Sequence, residues 1–137
     1  MDERISLEIV TPDRQLVKEI VDEVTAPGSE GYFGVLPGHI PFLTTLKIGE
    51  IAYRKDRETR YLAVSWGYAQ VEPDKVAILA EIAEPAEEID VERAQRARLR
   101  AEKRLEEKDG ELDFERARIS LEKALIRLQV ASKRLSQ

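Results

Sequence analysis

Between residues 81 and 97 the chain reads EIAEPAEEIDVERAQRA, and inside those residues the spacing of its apolar side chains changes. Upstream, KVAILAEI (75–82) is a short run rich in Val and Ile that ends at a proline, the signature of a strand. Downstream of Pro85 the pattern turns helical. Asp90 is a good N-cap, Ile89 before it begins a hydrophobic staple, and VERAQRARLRAEKRLEEK (91–108) holds no Gly, Pro or Thr. The chain is therefore read as two units meeting near residue 85.

Working back toward the amino terminus, ISLEIV (5–10) alternates Ile5, Leu7 and Ile9 with Ser6 and Glu8, the period of a strand with one buried face. LVKEIVDEV (16–24) repeats that period. GEIAYR (49–54), RYLAVSW (60–66) and YAQVE (68–72) are separated by turn residues at Lys55-Asp56-Arg57, Gly67 and Pro73-Asp74-Lys75. Short strands at this spacing predict an all-β sandwich or barrel over residues 1–84. Working forward, the first helix is expected over about 90–108. Asp109-Gly110 breaks it, Asp113 caps a second, and that helix is expected over about 113–135. Phe114, Ala117, Leu121, Ala124, Leu128, Ala131 and Leu135 recur at steps of three and four, a coiled-coil seam. Val91, Ala94, Ala97, Ala101 and Leu105 form a narrow stripe facing it, so 85–137 reads as an antiparallel helical hairpin. A seam so poor in large side chains buries little area, and the hairpin is expected to depend on docking or on a ligand for its stability.

Composition narrows the function classes. Of 137 residues 42% are hydrophobic and 36% charged, and 27 acidic residues against 22 basic give a net charge of -5. No global positive field exists to hold nucleic acid by counterion release. No cysteine is present, which removes disulfides, thiol nucleophiles and thiolate metal sites. MDERISLEIV at the start is charged at once, and no run approaches the roughly 20 apolar residues of a membrane span. A soluble protein without direct membrane insertion is expected. With one histidine, no Walker-type loop and no recognisable pair of carboxylates, the chain offers poor material for catalysis, and neither catalytic nor metal-binding residues are assigned.

Two segments remain as candidates for binding. GVLPGHIP (34–41) holds the single histidine, His39, between prolines that fix its neighbours, which favours a shaped loop over a reactive group. On the first helix Arg93 and Arg100 lie two turns apart on one face, and on the second Lys123 and Arg127 lie one turn apart. Folded together, these cations would repel one another unless an anion joined them, and guanidinium forks match phosphate oxygens. Helix capping by Asp90 and solvated arginines account for the same residues without a ligand.

Taken together the motifs resemble the epsilon subunits of bacterial F-type ATP synthases. Val10-Thr11-Pro12, the block GSEGYFGVLPGHIP (28–41), AVSWGY (63–68), PDKVAILA (73–80), IDVERA (89–94) and LDFERA (112–117) occur in that family's order along the whole chain. The resemblance implies an α+β protein of two domains, a ten-stranded β-sandwich (1–84) followed by a C-terminal antiparallel two-helix hairpin (85–137). It implies a non-catalytic central-stalk rotor subunit of the proton-translocating enzyme, peripheral on the cytoplasmic face of the bacterial inner (plasma) membrane. Its partners would be the gamma subunit and the c ring, with Ser29, Glu30, Tyr32 and His39 at that interface, and the alpha and beta subunits, whose ATP hydrolysis the extended hairpin inhibits. No cofactor is required. In some members the folded hairpin binds ATP as a regulatory ligand through a motif that Ile89, Asp90, Arg93 and Ala94 match. By that resemblance Glu84, Ile89 and Asp90 lie on the adenine side, and Arg93, Lys123 and Arg127 face the phosphates. Lys123 departs from the arginine of the tightest binders, which replaces a bidentate fork with a point charge. The alternative is a free-standing nucleotide-binding regulatory module.

Overall fold

The structure, a computed structural model, describes residues 4–107 and 111–134. The amino-terminal part is built from eight strands: β1 (Ile5–Val10), β2 (Gln15–Val21), β3 (Glu23–Gly28), β4 (Gly31–Val35), β5 (Phe42–Leu46), β6 (Gly49–Lys55), β7 (Glu58–Glu72) and β8 (Lys75–Pro85). They form one continuous sheet in the order β2-β1-β8-β7-β5-β3-β4, with β6 between β3 and β7. All pairings are antiparallel except β1 with β8.

The sheet closes on itself because its longest strand, β7, changes partner along its length. In β7, residues 58–64 pair with β6, whereas residues 67–71 pair with β5. The change of partner falls at Trp66 and Gly67, whose φ angles are 60° and 143°. A Cβ on Gly67 would stand 2.1 Å from the Leu79 carbonyl oxygen of β8, so only glycine lets the two strands cross there. The β7–β8 ladder runs from Leu62↔Pro85 to Glu72↔Lys75 and skips Trp66. The sandwich expected from the sequence is present with eight strands rather than ten, and RYLAVSW and YAQVE, read as two strands, form one bent strand.

The alternations recognised in the sequence point inward. Ile5, Leu7, Ile9, Ile51, Leu62, Ile78 and their neighbours close the core with essentially no exposure. LVKEIVDEV does not stay a single strand: the chain turns at Asp22, so β2 pairs with β1 and β3 leaves for β4 and β6. Strands β4 and β5 flank the GVLPGHIP loop. Within it Leu36-Pro37-Gly38-His39 makes a turn in which the His39 N–H donates to the Leu36 carbonyl at 3.2 Å, with Gly38 at φ 86°. Proline followed by a glycine of positive φ is what such a turn demands.

A 3-10 turn (Ala86–Glu88) links β8 to α1 (Val91–Glu107), and α2 (Glu111–Ala131) packs against α1 along its length. The cap is formed as expected: Asp90 Oδ1 accepts the Arg93 backbone N–H at 3.0 Å. Ile89 and Ala94, the staple pair, are both buried. The α1–α2 seam carries Ala94 and Ala101 on α1 and Ala117 and Ala124 on α2, all nearly inaccessible. Two residues of the expected stripes lie outside it. Val91 is 38% exposed and Phe114 is 49% exposed, because they sit at the helix ends, where the facing helix gives less cover. Helix α2 begins at Glu111, so Asp113 falls in its first turn and is not its cap. Leu135 and the Asp109-Gly110 break lie outside the described residues.

Helix α2 rests on β6, β7 and the 3-10 turn. A second small core forms there from Ala63, Ala86, Ile89, Val130 and Ala131, with Tyr61 and Ile126 at its edge. Only Ile89 and Val130 in it are larger than alanine and fully buried. At about 1.5–3 kcal/mol per buried aliphatic side chain, hydrophobic docking of the hairpin is modest.

Candidate functional site

Where the hairpin meets the sandwich, a cleft of about 400 Å³ opens between α1, α2, the middle of β7 and the end of β8. Glu84 enters from β8, Arg93 from α1, and Lys123 and Arg127 from α2, with Ser65 and Ser120 adding hydroxyl groups. Helical spacing explains the α2 pair: four residues apart, they project from one face. Arg127 donates from Nε to Glu84 Oε1 at 2.7 Å and from Nη2 to Oε2 at 3.2 Å, a two-pronged ion pair across the domain junction. The Lys123 ammonium stands 4.2 Å from the centroid of the Trp66 ring. Ser65, on the floor, is the buried polar residue among the described ones.

The cleft thus gathers four of the seven residues assigned to a nucleotide, Glu84, Arg93, Lys123 and Arg127. The other three have different places. Asp90 caps α1, Ile89 belongs to the small second core, and Ala94 is buried in the helix seam. Arg100, which shares a helix face with Arg93, does not line the cleft.

Of the residues assigned to partner contact, Ser29 and Glu30 are exposed in the turn between β3 and β4. The Ser29 N–H donates to the Thr45 carbonyl at 2.9 Å, which ties that turn to β5. Tyr32 is 61% exposed, and its hydroxyl accepts the Glu50 N–H at 2.9 Å. His39 turns back on its own loop: Nδ1 lies 2.7 Å from the Ile40 carbonyl oxygen and the ring 5.3 Å from that of Phe42. Tyr32 and His39 therefore make their contacts at separate places.

A larger groove of about 710 Å³ lies by the β6–β7 turn, away from the hairpin. Four of its charged residues pair with one another, Lys55 with Glu19 at 3.6 Å and Arg60 with Glu58 at 2.6 Å. The Tyr53 hydroxyl donates to Glu19 at 3.1 Å, and burial first, then Glu19, push the phenol far above its ordinary 10.0.

Several anchoring residues were not singled out by sequence reasoning. Lys133 donates to both Glu50 oxygens at 2.8 and 3.0 Å and lies 4.9 Å from the Tyr61 ring centroid. Arg134 donates to the carbonyl oxygens of Ala86 and Ile89, and Arg14 pairs with Glu88. The signal available was the Lys133-Arg134 pair following the buried Val130-Ala131, since cations at a helix end suit its carbonyl groups.

Fold and cleft together define a class of protein, a β-sandwich that carries a charged helical hairpin docked on one face by ion pairs. The β-sandwich domain of the ATP synthase Delta/Epsilon chain matches residues 4–86, and the long alpha-helix domain of the same family matches residues 87–132. An ATP synthase epsilon chain from Syntrophobacter fumaroxidans is 56% identical over 133 residues, 97% of this chain and 99% of the relative. Another, from Geotalea daltonii, is 53% identical over 134 residues, 97% of each. A chain in the cryo-EM structure of the Euglena gracilis mitochondrial ATP synthase, OSCP/F1/c-ring in rotational state 1, superposes with a TM-score of 0.83 at 27% identity, covering 96% of this chain and 83% of that one. The chain belongs to the ATP synthase Delta/Epsilon chain family. It is a non-catalytic, epsilon-type subunit of the ATP synthase complex.

Proposed function

We propose that the chain turns with the central stalk of a bacterial ATP synthase and that its hairpin acts as a brake on ATP hydrolysis. The observation that carries this reading is the match of both halves in order, residues 4–86 and 87–132, to one family. Residues 1–84 would bind the gamma subunit and the c ring with Ser29, Glu30, Tyr32 and His39 among the contacts, coupling proton transport to catalysis. The subunit would sit peripherally on the cytoplasmic face of the inner membrane; no described helix is long and apolar enough to cross a membrane.

Residues 85–137 would have two states. Docked, the hairpin leaves the catalytic alpha and beta subunits free to turn over; undocked and extended, it reaches between them and stops hydrolysis. Its modest second core and its reliance on ion pairs suit an element that exchanges between two arrangements. ATP would bind the docked form, with Arg93, Lys123 and Arg127 on its phosphates, and would shift the balance because that cationic edge exists only when the hairpin is folded.

Isothermal titration of the full chain with ATP, beside the Arg93→Ala variant, tests the ligand. Saturable binding lost in the variant is expected, and binding retained by the variant would refute the role given to Arg93. Co-purification with the gamma and c subunits tests the assembly, and replacement of Tyr32 or His39 is expected to weaken it without unfolding the sandwich.

A further inference from the structure

Arg127 and Glu84 come from opposite sides of the domain junction, 43 residues apart in sequence, yet meet side-on through Nε and Nη2, a two-pronged geometry with which a guanidinium also holds a phosphate. Their side chains are only 21% and 30% exposed. While the hairpin is docked, parting this partly desolvated pair would leave each ion without its partner, so a ligand anion must replace Glu84 to release Arg127 there. Lys123 is engaged as well, above the Trp66 ring. Among the described residues of the cleft, Arg127 is the cation held in an ion pair, and the Arg93 and Lys123 side chains make none.

We infer that Glu84 is a built-in anion for this cleft, occupying Arg127 where a ligand's phosphate would sit and latching the hairpin to the sandwich, so that a phosphate-bearing ligand enters by displacing it. The ligand's identity rests on the nucleotide reading above; the latch does not. Two consequences follow from charge alone. The docked hairpin is held without nucleotide, because its own carboxylate supplies the counter-ion. A bound phosphate then exchanges one ion pair for another, so docking is less sensitive to ligand than it would be in a cleft with three free cations.

Glu84→Gln keeps the shape and removes the charge, and its two expected effects have opposite signs. The latch weakens, because Arg127 loses its partner across the junction. Affinity for polyanions rises, because three cations then face the cleft without a carboxylate among them. A merely structural salt bridge would give the first effect without the second, and a contact to the base would lower ATP binding while leaving a ligand without a base unaffected.

The test uses the full chain, its Glu84→Gln variant and Arg127→Gln as a control, with ATP and inorganic tripolyphosphate as probes. Trp66 is the single tryptophan and lies under Lys123, so its emission reports occupation of the cleft. Glu84→Gln is expected to bind tripolyphosphate about five- to tenfold more tightly than the parent, within the usual range of coupling between sites. Amide exchange in α2 should quicken, by about tenfold, in both variants, with β1 and β8 unchanged. Weaker ATP binding with unchanged tripolyphosphate binding in Glu84→Gln would overturn the displacement and make Glu84 a contact to the base. Unchanged α2 exchange would overturn the latch. If neither probe bound parent or variant at millimolar concentration, the nucleotide reading and the displacement would fall together, while the exchange data would still decide the latch.

Discussion

The guanidinium of Arg134 reaches back from the end of α2 to the carbonyl oxygen of Ile89, and its Nε donates to that of Ala86 at 3.0 Å. The chain after α2 tightens to make this possible, with the Lys133 N–H on the Val130 carbonyl at 2.9 Å and the Arg134 N–H on that of Ala131 at 3.2 Å. One side chain thereby ties the last turn of the hairpin to the linker on which the hairpin pivots. Arg134→Ala removes hydrogen bonds from a charged donor, a change of about 1.5–3 kcal/mol in docking. Hydrogen exchange by mass spectrometry should show residues 90–131 opening faster in the variant while the sandwich core keeps its protection. Equal exchange would mean that Ile89 and Val130 suffice to hold the hairpin.

Arg98 acts in the opposite direction. Its Nε is buried and has no hydrogen-bond partner among the described residues, an unusual state for so polar an atom. The folded hairpin therefore carries the cost of an unpaired buried donor on α1. Arg98→Met fills similar volume without the donor and should stabilise the hairpin by about 1–2 kcal/mol, read as slower exchange in α1 and α2. A destabilised hairpin would show that the aliphatic stem and outer nitrogens of Arg98 matter more than its orphaned Nε.

Docking should also depend on pH at its alkaline limit. The hydrogen bond to Glu50, with the attraction of that carboxylate, holds the Lys133 ammonium above its ordinary 10.5, although partial burial opposes the shift. A pKa raised by folding stabilises fully below the unfolded value, and the contribution is lost as pH rises through the folded one. Exchange-derived docking should be flat toward neutral pH and weaken above about pH 10.5, and Lys133→Met should remove that limb. A limb of unchanged size in the variant would assign it to another group.

Gly67 bears on the sandwich rather than the hairpin. At φ 143° and with Leu79 and Ala80 backbone atoms within 3 Å of where a Cβ would stand, it permits the bend that closes the sheet. Gly67→Ala should cost at least about 3 kcal/mol, seen as a lowered midpoint of thermal unfolding. A neutral effect would mean that the bend can form elsewhere along β7.

These residues also show where sequence reasoning stops. The alternation of Ile5, Leu7 and Ile9 and the cap at Asp90 were legible because they are local, each set by the geometry of a few consecutive residues. Gly67 was legible only as punctuation: read locally it ends a strand, and its role in letting β7 change partners depends on β8 passing behind it. Phe114 and Val91 fit the seam's period, yet their exposure is decided by how far the facing helix extends. In the cleft, spacing placed Lys123 and Arg127 on one face. It could not show that Glu84 already holds Arg127, or that Trp66 lies beneath Lys123, because those meetings join elements about 40 to 60 residues apart, beyond the reach of any local period. Arg134 stood in view as a cation at a helix end, but its partners, the Ala86 and Ile89 carbonyls, were hidden for the same reason.

The central claim is that the docked hairpin is the permissive state and the undocked one the brake. The most direct test is the rate of ATP hydrolysis by ATP synthase assembled with the Arg134→Ala chain beside the same complex with the parent chain. Because loss of the Arg134 contacts favours undocking, the variant complex should hydrolyse ATP more slowly, approaching about tenfold for each 1.4 kcal/mol of docking lost once the undocked state predominates. Equal or faster hydrolysis, with exchange confirming that the hairpin has been released, would contradict it.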